Sequence, residues 1–99
     1  MKQDYKFNEP ENTACITCDH VVVHKKPILY VAHDEDDGCW QFLCGQENHT
    51  EANAKIIPLK NATKIDDSLN QLSELPLGCG AERESINDNW IPFKMIREE

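Results

Sequence analysis

The pair Cys15-Ile16-Thr17-Cys18 has the spacing with which many proteins grip zinc, and Cys39, Cys44, Cys79, His20 and His49 are further donors. A zinc module of that type normally carries a second C-x-x-C or H-x-x-x-H pair, and this chain has one pair only. The surroundings of the pair also resist the reading. Ala14 to Val23 alternates like an extended strand, and side chains three apart on a strand point to opposite faces. Cys39 and Cys44, five apart on another such run, would lie about 16 Å from each other at about 3.3 Å per residue. A Cys15, Cys18, Cys44 and His49 site therefore requires the first pair to sit in a turn. The first reading has no cofactor, and this zinc site is its alternative. A thioredoxin-like role fits less well, because a strand-like run beginning with Asp19 follows the pair where a helix N-terminus is needed.

Other chemistries find less. Asp34-Glu35-Asp36-Asp37 opens like a calcium loop, but the fifth and twelfth positions hold Gly38 and Gly45, which offer no side-chain oxygen. His33, Asp34 and Ser85 are the residue types of a hydrolytic triad, yet no nucleophile elbow surrounds the serine. There is no phosphate-cradling glycine loop and no His-Glu zinc motif. The chain is expected not to be an enzyme. What remains is four consecutive carboxylates, which repel one another and gain from a basic surface brought against them.

The elements that position these residues centre on one hairpin. Ile28-Leu29-Tyr30-Val31-Ala32 leads into the acidic run and Gly38, and Cys39-Trp40-Gln41-Phe42-Leu43-Cys44 leads out. Two apolar runs joined by an Asp-Gly turn are a strong hairpin signal, with Trp40 and Phe42 on one face of the second strand. Ala14 to Val23 predicts a strand before it, with His24-Lys25-Lys26-Pro27 as the turn, giving three antiparallel strands in sequence. Thr50 is placed to cap a brief turn through Ala54, and Ile56-Ile57-Pro58-Leu59 predicts an edge strand. Asp66 or Asp67 caps a helix whose Ile65, Leu69, Leu72 and Leu75 share a face, and Pro76 stops it. Leu77-Gly78-Cys79-Gly80 predicts a turn; Ala81 to Ser85 and Ile91 to Met95 predict the last strands. The expected fold is α+β, a mostly antiparallel sheet of five to six short strands with one main helix packed on one face. Residues 1–13 are expected to form a loosely ordered lead-in, with Tyr5 and Phe7 alternating as in a short edge strand, and residues 14–99 a single domain.

Composition bounds the partners. Eighteen acids against 10 bases in 99 residues leave a net charge of -8, with pI ≈ 4.9. That balance repels phosphate backbones and anionic lipid, so neither nucleic acid nor membrane is expected as a partner. An odd number of cysteines and no apolar leader or span point to a cytoplasmic protein.

With these residues in view, the chain resembles a small bacterial domain family of unknown function, also catalogued among the predicted immunity proteins of bacterial toxin systems. The resemblance rests on Pro27-Ile28-Leu29-Tyr30-Val31, His33 to Gly38, Trp40 to Gly45, Leu75-Pro76-x-Gly78, Arg83-Glu84-Ser85 and Trp90, and spans roughly Ala14 to Phe93. Relatives often carry an aromatic just after the Leu-Pro-x-Gly turn, where this chain has Cys79-Gly80-Ala81. The resemblance implies no catalytic residues. It implies a non-enzymatic inhibitor whose partner is a protein, and the charge of this chain makes that partner basic. Asp34, Glu35, Asp36 and Asp37 are the expected contact, with Trp90 as an anchor and Glu82 and Glu84 as its rim. The edge strands leave a homodimer open. An uncharacterised housekeeping role, acting through His33 if enzymatic, is a further alternative.

Overall fold

The computed structural model describes residues 5–45 and 54–94. Its six strands are β1 (Ala14–Cys18), β2 (Tyr30–His33), β3 (Trp40–Leu43), β4 (Ala54–Pro58), β5 (Cys79–Glu82) and β6 (Ile91–Lys94). They form one sheet in the order β4-β1-β3-β2-β5-β6, antiparallel throughout except for β1 beside β3. Two α-helices, α1 (Asp19–Val22) and α2 (Leu59–Ile65), and a 3-10 helix at Asp67–Leu72 complete the described elements. This is the expected α+β architecture.

The central hairpin forms as its sequence dictates. His33 pairs with Trp40 and Val31 with Phe42, so these four side chains share one face with Thr17 and Cys15 of β1 and Ala81 of β5. Trp40 and Phe42 are buried and stacked, with ring centroids 5.9 Å apart. Leu59 and Ala62 of α2 and Leu69 and Leu72 of the 3-10 helix belong to the same core. Phe7, from the stretch read as a lead-in, packs its ring edge on Trp40 at 4.9 Å and is itself a core residue. No strand forms at Tyr5 or Phe7.

Several elements depart from their predicted form. The strand expected over 14–23 ends at Cys18, and α1 begins at Asp19, whose carbonyl accepts from the Val23 N–H at 2.8 Å. Val21 through Val23 favour extended backbone locally, but the helical turn sends Val21 into the core, and tertiary burial overrides propensity. Nor does β1 pair with β2. It lies parallel to β3, with Thr17 opposite Phe42, and the Thr17 hydroxyl donates to the Phe42 carbonyl at 2.5 Å. A parallel neighbour needs a crossover, which α1 and β2 supply.

The helix predicted from Asp66 to Leu75 is a 3-10 helix ending at Leu72. Asp66 does cap it, its side chain accepting from Ser68 N at 3.0 Å. The longer helix starts earlier, at Leu59 just after Pro58, in a stretch read as the end of a strand. Ile65 consequently closes α2 and stays 47% exposed, off the face that Leu69 and Leu72 share. β4 runs along the sheet edge as its proline requires. Cys79 and Gly80, read as turn, open β5, and the bend falls instead at Gly78, whose φ of 81° suits glycine. The turn predicted from Thr50 lies outside the described residues.

Candidate functional site

The acidic run is a braced turn. Asp34 N donates to the Cys39 carbonyl at 2.8 Å and Gly38 N to the Asp34 carbonyl at 2.9 Å. Asp34 Oδ1 accepts from Asp36 N at 2.8 Å, and Asp37 Oδ1 from Cys39 N at 2.9 Å. Aspartate side chains that bond backbone two residues on hold such a turn without help from a sheet. Gly38, at φ 72°, completes it. Asp34 is half-buried while Glu35, Asp36 and Asp37 stand exposed. The turn rests on the Pro76–Gly78 bend. The Gly78 N–H donates to the His33 carbonyl at 2.8 Å, and the Glu35 carboxylate lies over Gly78. Leu77, 54% exposed, sits against Gly38. An apolar side chain beside three exposed carboxylates is a feature the sequence reading missed, because the contact joins segments some forty residues apart.

Behind the turn, His33 stacks on Trp40 with ring centroids 3.8 Å apart. Its Nδ1 lies 2.8 Å from the Leu75 carbonyl and therefore carries the proton donated there. Nε2 is 3.8 Å from Glu9 Oε2, which also accepts from the Trp40 indole at 2.9 Å. His33 thus meets Glu9 rather than the acids that follow it in the chain. Ser85 lies past the far end of β5, where its hydroxyl donates to Asp88 Oδ2 at 3.2 Å. The triad residue types do not converge.

Glu82, Glu84 and Trp90 gather at the other end of the sheet from the turn. Glu82 pairs with Tyr30, whereas the turn follows His33, so about 10 Å of strand separates the two groups at about 3.3 Å per residue. Glu82 and Glu84 are exposed, and Arg83 between them turns inward. Its Nε and Nη2 donate to the Ile28 carbonyl at 3.1 and 2.9 Å, Nη1 donates to Ser68 Oγ at 3.2 Å, and Nη2 pairs with the Asp66 carboxylate. The guanidinium carbon lies 4.1 Å from the centre of the Trp90 ring. Trp90 is half-buried, and its indole N–H donates to Ser68 Oγ at 3.1 Å. The indole closes over Arg83.

The thiols divide. Cys15 is fully buried, and burial, with a smaller contribution from Cys39, pushes its pKa up to about 12. Cys39 is raised too, by burial and then by Asp37 and Asp34. Cys18 and Cys44 do meet, and the third residue with them is His20, the ligand atoms lying within 4.8 Å of one another. Cys15 is not part of that group, and His49 lies outside the described residues.

The geometry defines a small α+β domain that presents carboxylates on a preformed turn, while His33 behind that turn is bound into the core. Residues 15–94 match the Immunity protein Imm33 domain, and the chain belongs to that family of immunity proteins. The family is not associated with catalytic activity, and membership implies pairing with a toxin. The expected resemblance and the expected protein-binding class both stand on this match. No curated protein and no solved structure matches the chain. Among the described residues, no helix is long and apolar enough to cross a membrane.

Proposed function

We propose that this domain inhibits its toxin by seating the Asp34–Asp37 turn in a basic surface, blocking it both sterically and by charge. The observation that carries the reading is the pre-set turn. Four hydrogen bonds fix its backbone before any partner arrives, so little ordering is lost on docking. Exposed Leu77 beside Gly38 supplies an apolar centre for the acidic ring. Glu82, Glu84 and Trp90 would be touched only by a partner broad enough to reach across the sheet. All five cysteines are free thiols, which supports a reducing compartment, the bacterial cytoplasm.

The test is association with the cognate toxin, measured by stopped flow across a salt series. Reversing Asp36 and Asp37 to lysine should slow association on the order of tenfold or more at low salt, with the difference shrinking as salt rises. An unchanged on-rate and affinity would take the turn out of the contact. A loss confined to Glu82→Lys and Glu84→Lys would move the contact to the other end of the sheet. Self-association is a second reading, supported by β4 and β6 at the two sheet edges, where Ile56 is 73% and Ile91 64% exposed. Sedimentation velocity of the lone domain separates it from the first.

A further inference from the structure

We propose that Cys18, His20 and Cys44 bind a soft divalent cation of the zinc class, a role separate from the acidic turn. One ligand atom from each lies within 4.8 Å of the others. Around a tetrahedral zinc, with Zn–S about 2.3 Å and Zn–N about 2.0 Å, ligand atoms stand roughly 3.5 to 4 Å apart. The three side chains need move only about an ångström or less to close on one ion.

The topology explains why these three converge when alternation along a strand would have separated them. Cys18 is the last residue of β1, and Cys44 is the first beyond β3. The two strands run parallel, Thr17 opposite Phe42, so both thiols leave the sheet at the same end. There the backbone stops being extended on both sides. Cys18 caps α1, whose first turn brings His20 round, and Gly45, at φ 84°, bends the chain just after Cys44.

The chemistry of the donors fits. Two thiols and an imidazole are a zinc donor set, and three protein ligands leave a fourth position for water or another donor. Cys18 and Cys44 are 2% and 4% exposed, which shields a thiolate–metal bond from solvent, while half-buried His20 opens a route in. Asp19 Oδ1 lies 3.8 Å from His20 Nδ1, so an acidic neighbour stands beside the imidazole, as carboxylates commonly do beside metal-binding histidines.

The experiment uses the whole chain, stripped with chelator under reducing conditions and titrated with cobalt(II) and then zinc. One equivalent of cobalt should give thiolate charge-transfer absorption and the visible bands of a tetrahedral site, and zinc should displace it. Cys18→Ser and Cys44→Ser should each abolish the charge-transfer band or weaken binding beyond the about 10–100-fold that loss of a supporting residue costs. Cys39→Ser and Cys79→Ser should leave it unchanged. Should either ligand variant fail to fold, X-ray absorption on the zinc-loaded natural chain decides. Two sulfurs at about 2.3 Å with imidazole nitrogen at about 2.0 Å support the site. Absence of saturable binding at one equivalent, a shell of oxygen and nitrogen alone, or three or more sulfurs overturns it.

Discussion

Replacing Arg83 with alanine should cost this domain a large part of its stability. The guanidinium is almost fully buried and ties three segments together, namely the Ile28 carbonyl before β2, the Asp66–Ser68 start of the 3-10 helix, and the Trp90 indole. Breaking a buried ion pair from one side costs about 3–5 kcal/mol, since the remaining charge is left uncompensated. A buried carbonyl stripped of its donors costs about 1–3 kcal/mol, and the cation–π contact adds about 0.5–2 kcal/mol. These overlap, and Asp66 keeps some access to water with 20% of its side chain exposed, so about 4 kcal/mol is the expected loss. Domains of this size have about 5–15 kcal/mol in all. At about 4–8 °C per kcal/mol, the melting midpoint should fall on the order of 20 °C. Urea unfolding followed by tryptophan fluorescence measures it directly. Lysine keeps the charge but cannot fork between Ile28, Ser68 and Asp66, so Arg83→Lys should recover less than half of the loss. Adding Asp66→Asn to Arg83→Ala should restore part of it by removing the stranded carboxylate. Stability within 1 kcal/mol of the natural chain for Arg83→Ala, or full recovery by lysine, would refute the clamp and release Trp90 to act as a surface anchor.

Three further outcomes follow from the same structure. At Gly80 a methyl group would stand 2.7 Å from the Val31 carbonyl oxygen and 2.7 Å from Phe93 Cζ, so Gly80→Ala should cost about 1–3 kcal/mol by forcing β5 away from β2. Adding Phe93→Ala should recover only part of that, because the Val31 contact is backbone; full recovery would show that the ring alone forbids the methyl group. The buried Cys15 thiol holds its proton to about 12 against an ordinary 9.0. Its contribution to stability is therefore fully present below pH 9 and lost as pH climbs toward 12, and Cys15→Ala should flatten that alkaline loss in urea titrations. Cys39, raised by burial and then by Asp37 and Asp34, should react slowly with iodoacetamide at pH 8, and Asp37→Asn should speed it.

Local chemistry made part of this fold readable. The hairpin from Ile28 to Cys44 declares itself through an Asp-Gly turn and a period of two, both written within a few residues of where they act. Asp66 as a cap and Pro58 as the mark of an edge strand are equally local signals. α2 was harder to read, because Leu59 to Ile65 has no side-chain cap and three buried residues to announce it.

By itself the sequence determined an acidic α+β domain, a carboxylate-bearing turn backed by Trp40 and Phe42, and a resemblance that its family match upholds. Tertiary structure decided what depends on residues far apart in the chain. It set β1 parallel to β3, ended β1 at Cys18 so that His20 joins Cys18 and Cys44, buried Arg83 against Asp66, and parted Glu82, Glu84 and Trp90 from the turn. The physical reason is that hydrogen-bond register, turn geometry and alternation act between neighbours and leave a local trace. Which strand lies beside which, and which buried charge meets which partner, is settled by packing the whole core at once.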